Sequence, residues 1–280
     1  MHFTKKVHIW HDSRKELVFM YKPLIQTIII ILKEIYFINQ IDYRVSNDFN
    51  SIQSESVLIW VGVNVPDFSL LKERNIYTIF CNTEPNSNSE NSHEIWTYSK
   101  YLYYNYIPKI KDQIIKFIPI MKEENVPFVN YTLLPTKDLI FIGNFTDRTI
   151  KYNKFSEGLK KIITQLYNIW NDNDYQSLIK NKPAIYLNLT KDFTYALPSI
   201  RINKLLSHKC IIISEFTNKI DEELYKDIVY FCKLDEIEVV YRNLINKSAD
   251  ELCEISNRIY DKFCETFYYK NAIKIIVEKK

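Results

Sequence analysis

The stretch Leu187–Glu215, LNLTKDFTYALPSIRINKLLSHKCIIISE, limits the possible folds more than any other part of the chain. Ala184–Leu189 and Cys210–Ile213 are apolar runs, too short and too β-branched to be helices on their own, and both read as buried parallel strands. Between them Pro198 and Ser199 give a helix-start signal. Ile200, Leu205 and Leu206 then form an apolar stripe at helical spacing, while Arg201, Asn203 and Lys204 face elsewhere. This is one βαβ unit. In open α/β sheets, ligands sit outside the carboxyl ends of the strands, where helix N-termini offer free N–H groups and partial positive charge to phosphates. Asn188, Ser199, Arg201 and Glu215 fall at that edge.

A chain of 280 residues with 46% hydrophobic and 15% aromatic content holds one large domain or two ordinary ones. Lys and Arg number 37 against 34 Asp and Glu, a net charge of +3 with the basic residues scattered, so composition gives no reason to expect a nucleic-acid partner. The five cysteines, Cys81, Cys210, Cys232, Cys253 and Cys264, include no CxxC pair and read as buried reduced thiols. The N-terminus lacks the apolar core of a signal peptide. The greasiest segment, Thr27–Ile38, is interrupted by Lys33 and Glu34 and is far short of a bilayer span. These features predict a soluble, cytoplasmic protein, in which the Asn-x-Ser/Thr sequons at Asn130, Asn144, Asn188 and Asn246 carry no glycan.

The same strand and helix alternation recurs on either side of a proline-marked break. Strands are expected at Val7–Trp10, Tyr43–Val45, Val57–Val61 and Ile76–Phe80, with a long helix over Lys15–Phe37 and a short one over Ser69–Arg74. Pro108–Asn130, with Pro108, Pro119 and Pro127, breaks the periodicity and reads as a linker. Beyond it come a strand at Leu139–Gly143, a long amphipathic helix over Arg148–Trp170, and the unit described above. A strand over Ile228–Phe231 and a helix over Glu236–Asn246 follow, and a last helical pattern spans Ala249–Val277. The alternation predicts an α/β fold of two Rossmann-type domains: residues 1–130, a linker at about 108–135, and residues 136–280 with a closing C-terminal helix.

With those motifs placed, the chain resembles the GT-B glycosyltransferases, and its local motifs are similar to family-1-like enzymes of bacteria and large DNA viruses. The pieces that carry the resemblance are FCNTEP and EIWTYS, FIGNFTDR, and YLNLT through RINKLLSHKCIIISE, within residues 76–245. In that group the helix usually reads R-[LI]-N-E-x-L followed by glycine. Here Lys204 replaces the acid and His208-Lys209 the glycine. The acid commonly holds the donor ribose through its hydroxyls, and a lysine cannot accept those hydrogen bonds. The resemblance implies two domains facing each other across a cleft, with a nucleoside-diphosphate sugar bound by residues 139–247 and an acceptor by residues 1–107. It implies no obligatory cofactor and no metal, because helix N-termini and basic side chains stabilise the leaving diphosphate.

The resemblance places Gly143 and Asn144 against the donor diphosphate, where a plain turn glycine is the competing reading. Arg148 is read as a phosphate partner or an exposed helix arginine. Arg201, in the first turn of its helix, conflicts with the helix dipole unless an anion is present, which favours phosphate binding. Asn188, Ser199, Asn203 and Lys204 complete the donor set with Glu215, which receives ribose or sugar hydroxyls or else serves the next helix as an N-terminal acid. On the acceptor side His11, Asp12 and Glu84 follow strand ends and are the candidates for removing the acceptor hydroxyl proton. Asp172-Asn173-Asp174 matches the spacing of metal-binding acid pairs in the other large glycosyltransferase fold. It follows a helix instead of a buried strand, and reads as a solvated helix-end loop. No GxGxxG, P-loop or His/Cys metal spacing occurs.

The expectation is therefore a metal-independent glycosyltransferase acting on a glycan, lipid or protein acceptor. A catalytically silent binding or scaffold protein of the same fold and a Rossmann-type sugar-nucleotide-modifying enzyme are the alternatives. Sugar, acceptor, stereochemistry and oligomeric state are not encoded in any readable motif.

Overall fold

The computed structural model describes residues 6–11, 14–46, 48–62, 67–83, 91–106, 113–133, 138–167, 169 and 171–279. Its contacts divide the chain into two units, Met1–Met121 with Tyr269–Lys280, and Lys122–Tyr268. Each unit has its own sheet.

The first unit begins with β1 (Val7–His11), α1 (Lys15–Glu34), β2 (Ile41–Val45) and β3 (Val57–Gly62). It continues through α2 (Phe68–Glu73), β4 (Tyr77–Asn82), β5 (Glu94–Thr97), α3 (Lys100–Tyr106) and β6 (Ile114–Phe117). These six strands pair in parallel in the order β6-β5-β4-β3-β1-β2. β1 and β3 are buried at every residue, as continuous apolar runs require when helices cover both faces of a parallel sheet. On one face Trp10, Leu58, Trp60, Phe68 and Phe80 pack into one cluster. The chain leaves β1 for β2 and returns to β3 on the other side, so the strand order reverses between β1 and β3. His11 ends β1 at that point.

The proline-marked stretch expected as a linker contains β6. Pro119 and Pro127 come after the strand and leave its ladder intact, and the charge that disguises it, Lys116, is buried. The ammonium of Lys116 lies 3.0 Å from Glu94 and 2.8 Å from the Tyr36 hydroxyl. Glu94 also accepts from the Tyr77 hydroxyl at 2.9 Å and the Trp96 indole at 2.9 Å, so the buried pair is hydrogen-bonded on both sides.

The second unit runs β7 (Leu139–Ile142), α4 (Thr149–Asn153), α5 (Glu157–Ile162), β8 (Ile163–Leu166), α6 (Asp172–Asn181), β9 (Ile185–Asn188) and α7 (Ser199–Ser207). Then come β10 (Ile211–Glu215), α8 (Lys219–Leu224), β11 (Tyr230–Cys232), α9 (Ile237–Ile245) and α10 (Ala249–Phe267). Its parallel sheet is ordered β8-β7-β9-β10-β11, and here the reversal lies between β7 and β9.

Three expected elements differ. The single helix over Arg148–Trp170 is instead two short helices and a strand. Ser156 caps α5 by accepting from the Leu159 amide, and the branched Ile162-Ile163-Thr164 turns the chain into β8 beside β7. The Asp172-Asn173-Asp174 segment is a helix start and not a helix-end loop, because the Asn171 side chain caps α6 and both acids sit in its first turn, where the dipole favours them. The helix over Ala249–Val277 stops at Phe267. Tyr268 is extended (φ −63, ψ 139), and after α11 (Tyr269–Ala272) the branched tail forms β12 (Val277–Lys279), antiparallel to β6 on the edge of the first sheet.

Candidate functional site

The carboxyl edge of the second sheet is built around Gly143, the residue after β7. Its φ is +149, and a Cβ there would lie 3.1 Å from the Phe141 ring and 3.5 Å from Arg201 Nη2, so both backbone shape and space require glycine. Asn144 folds the next turn locally, its side-chain oxygen accepting from the Thr146 amide at 2.9 Å and hydroxyl at 2.8 Å.

Two guanidiniums converge beside this glycine. Arg148, buried at 4% exposure, donates to the Leu189 carbonyl at 2.9 Å and the Asn144 carbonyl at 2.7 Å, and lies 5.4 Å from the centre of the Phe141 ring. Arg201, in the first turn of α7, donates to the same Leu189 carbonyl at 3.3 Å and lies 5.6 Å from the same ring. Carbonyls and an aromatic face orient both guanidiniums toward this edge. Pro198 precedes α7 and its side chain makes no cap hydrogen bond, and Arg201 puts a cation in the first turn of a helix whose dipole opposes it. An anion resolves that conflict. This edge is also the point where the strand order reverses, the usual ligand position in an open α/β sheet.

At the ends of β9 and β10 the polar groups are fixed from below. Asn188 is fully buried and donates to the Ser214 hydroxyl at 2.9 Å, and its Oδ1 has no partner among the described residues. Glu215 Oε1 accepts from the Thr190 amide at 2.7 Å, the Thr190 hydroxyl at 2.8 Å and Lys151 at 2.7 Å. The acid at the strand end is thereby anchored by its neighbours and not used as a cap for α8, which is capped by Asn218.

Gly143, Asn144, Arg148, Asn188, Arg201 and Glu215 lie together at this edge, with Ser199 buried at the start of α7, its hydroxyl 3.4 Å from the Leu197 carbonyl. Asn203 and Lys204 face other surroundings. Asn203 is fully buried and accepts from the Tyr225 hydroxyl at 2.7 Å. Lys204 is 3% exposed, with its ammonium 3.5 Å from Glu123, 3.8 Å from Asp172 and 5.2 Å from the Tyr175 ring centre. Lys151, Thr190 and Glu123 were missed by sequence reasoning. Lys151 was within reach, since it stands three residues after Arg148 on adjoining helical turns. Glu123 had no local signal.

In the first unit His11 is fully buried, its Nε2 2.6 Å from the Tyr43 hydroxyl, with the two rings stacked at 5.5 Å. Asp12 and Glu84 lie outside the described residues. On the opposite face of β1, His8 pairs through Nδ1 with Asp42 at 2.8 Å, and burial pushes its pKa below the ordinary histidine value. Among the described residues no group of three or more His, Cys, Asp or Glu side chains is placed to hold a metal ion. Among the same residues no helix is long and apolar enough to cross a membrane.

No protein-family model matches the chain, and no curated protein matches it in sequence. Solved structures do. T4 phage BGT, seen in complex with UDP and Mn2+, is 10% identical and matches with a TM-score of 0.57 over 96% of this chain and 98% of its own. The same protein in complex with its UDP-glucose substrate matches equally, over 96% of each chain. TarM of S. aureus is 8% identical, with a TM-score of 0.53 over 80% of this chain and 54% of its own, so this chain spans about half the length of TarM. The fold is α/β and of the GT-B glycosyltransferase type.

Proposed function

We propose that the protein transfers a sugar from a nucleoside-diphosphate sugar to an acceptor hydroxyl. The observation that carries this reading is the pair of guanidiniums beside a glycine of required geometry, at the point where the second sheet reverses its strand order. In this reading Arg201 meets the diphosphate. Arg148, already committed to two carbonyls, holds the Asn144 turn and the Leu189 loop in register. Charge developing on the leaving nucleoside diphosphate is stabilised by Arg201 and the start of α7, preorganised before the reaction. Glu215 receives a donor hydroxyl, the role that Lys204, turned toward Glu123 and Asp172, does not fill.

The acceptor is assigned to residues 1–107, with His11, Asp12 and Glu84 as candidates for taking the hydroxyl proton. A domain boundary near residue 130 belongs to the same proposal, as do a cytoplasmic setting and a glycan, lipid or protein acceptor. Metal independence is proposed because the leaving group has protein cations to meet it. Equal turnover with Mn2+ and with a chelator supports that, and loss of turnover with the chelator refutes it.

The experiment is a thermal-shift and turnover screen against uridine, guanosine and adenosine diphosphates and their sugars, using wild type and Arg201→Ala. A ligand that binds only the folded chain raises the melting temperature, by the equivalent of about 2.7 kcal/mol at a hundredfold excess over Kd. A shift lost in Arg201→Ala supports the phosphate role. No shift with any nucleotide refutes the donor site, and binding without turnover supports the silent reading that the Lys204 position raises.

A further inference from the structure

Lys151, on α4, has an environment that its position in the sequence does not explain. Its ammonium lies 2.7 Å from Glu215 Oε1, 3.3 Å from the Thr190 carbonyl and 3.4 Å from the Lys191 carbonyl, and it also donates to the Thr190 hydroxyl. The side chains of Lys151 and Glu215 are 15% and 6% exposed. An ammonium has three protons to donate, and four oxygens already surround this one. A phosphate would have to take it from a buried ion pair.

The arrangement has the opposite consequence for Glu215. Lys151, the Thr190 amide and the Thr190 hydroxyl all donate to Oε1, which fixes the carboxylate at the end of β10, while no described residue donates to Oε2. We propose that Lys151 is a positioning residue for Glu215. It anchors Oε1 so that Oε2 meets a hydroxyl of the donor, on ribose or on the sugar, and it does not itself carry the diphosphate. The inference rests on the donor site proposed above and adds a division of labour to it: Arg201 for phosphate, Lys151 through Glu215 for hydroxyls.

Titration calorimetry of wild type, Lys151→Met, Glu215→Gln and the double variant with inorganic pyrophosphate, UDP and UDP-glucose tests it. Pyrophosphate has no hydroxyl of the relevant kind, so Lys151→Met should leave its affinity within roughly twofold, while affinity for a hydroxyl-bearing ligand falls about tenfold. A fall already seen with UDP assigns the ribose, and one confined to UDP-glucose assigns the sugar. The double variant should bind no worse than Glu215→Gln alone, because one residue acts through the other. Lys151→Arg, which keeps charge and reach, should recover most of the loss. A tenfold loss of pyrophosphate affinity in Lys151→Met, or additive losses in the double variant, overturns the proposal. If Lys151→Met leaves Glu215 unpaired and unfolds, the charge-balanced double variant is compared with Glu215→Gln for pyrophosphate: equal affinity supports the proposal and a tenfold loss overturns it. Wild type that binds none of the three ligands refutes the donor site itself, and this inference falls with it.

Discussion

His208 makes the second unit acid-sensitive by an amount that follows from its surroundings. It ends α7 at 1% exposure, and its Nδ1 lies 2.6 Å from the Pro127 carbonyl, which can only accept, so that nitrogen carries the proton. Burial lowers its pKa from 6.5 to about 4, opposed by the Pro127 hydrogen bond and Asp172 and assisted by Lys204. The sign follows from which state takes the proton. Below pH 6.5 the unfolded chain binds a proton that the folded chain refuses, so stability falls as pH drops and the loss is complete near pH 4. A histidine lowered from 6.5 to about 4 contributes about 3 kcal/mol, of which about 2 kcal/mol is lost between about pH 7 and about pH 4.5. His208→Gln removes the titration and keeps an N–H for Pro127. Because the chain has two units, unfolding in urea is best followed locally, by alkylation of Cys210, which is fully buried beside this helix end. Comparing wild type with His208→Gln at the two pH values cancels the carboxylates and the other histidines. Wild type should lose about 2 kcal/mol more than the variant on acidification. Equal losses in the two proteins would refute the reasoning.

Gly143→Ala places a Cβ 3.1 Å from the Phe141 ring at a φ of +149, a strain of about 1–3 kcal/mol in stability, and Arg201, 3.5 Å away, shifts with it. Calorimetry with UDP should show weaker binding, and an unchanged affinity would remove Gly143 from the donor site. Lys209 follows α7 at φ 62 in a Schellman turn, with the Cys210 amide bonded to the Leu205 carbonyl and the Lys209 amide to that of Leu206. Lys209→Gly and Lys209→Ala lose the same contacts to Asn257, Phe128 and Tyr260, so glycine should be the more stable by about 1 kcal/mol, the reverse of their usual order. Denaturant midpoints that place alanine level or higher would contradict the left-handed assignment.

The Lys209 turn shows how much of the structure was written locally. The family-like pattern has a glycine after this helix, and the chain keeps the left-handed turn with a lysine, holding it by cation contacts to Phe128 and Tyr260. The buried strands were legible because continuous branched apolar runs leave no other economical structure. β8 was not, because Ile163–Leu166 continues the apolar spacing of α5 and only pairing with β7 separates strand from helix. β6 was hidden by a lysine, whose partner Glu94 is on a neighbouring strand.

The sequence by itself determined the α/β alternation, the two sheets and the placing of Gly143, Arg201 and Glu215 at one sheet edge, since strand ends and helix starts are set by residues close together in the chain. Only the tertiary structure decided which charges meet. Glu215 is anchored by Lys151, Lys204 is drawn to Glu123 and Asp172, and Arg148 is committed to the carbonyls of Asn144 and Leu189. A carboxylate pulled from water takes whatever cation the fold brings within reach, and that distance is fixed by packing between segments far apart in the chain.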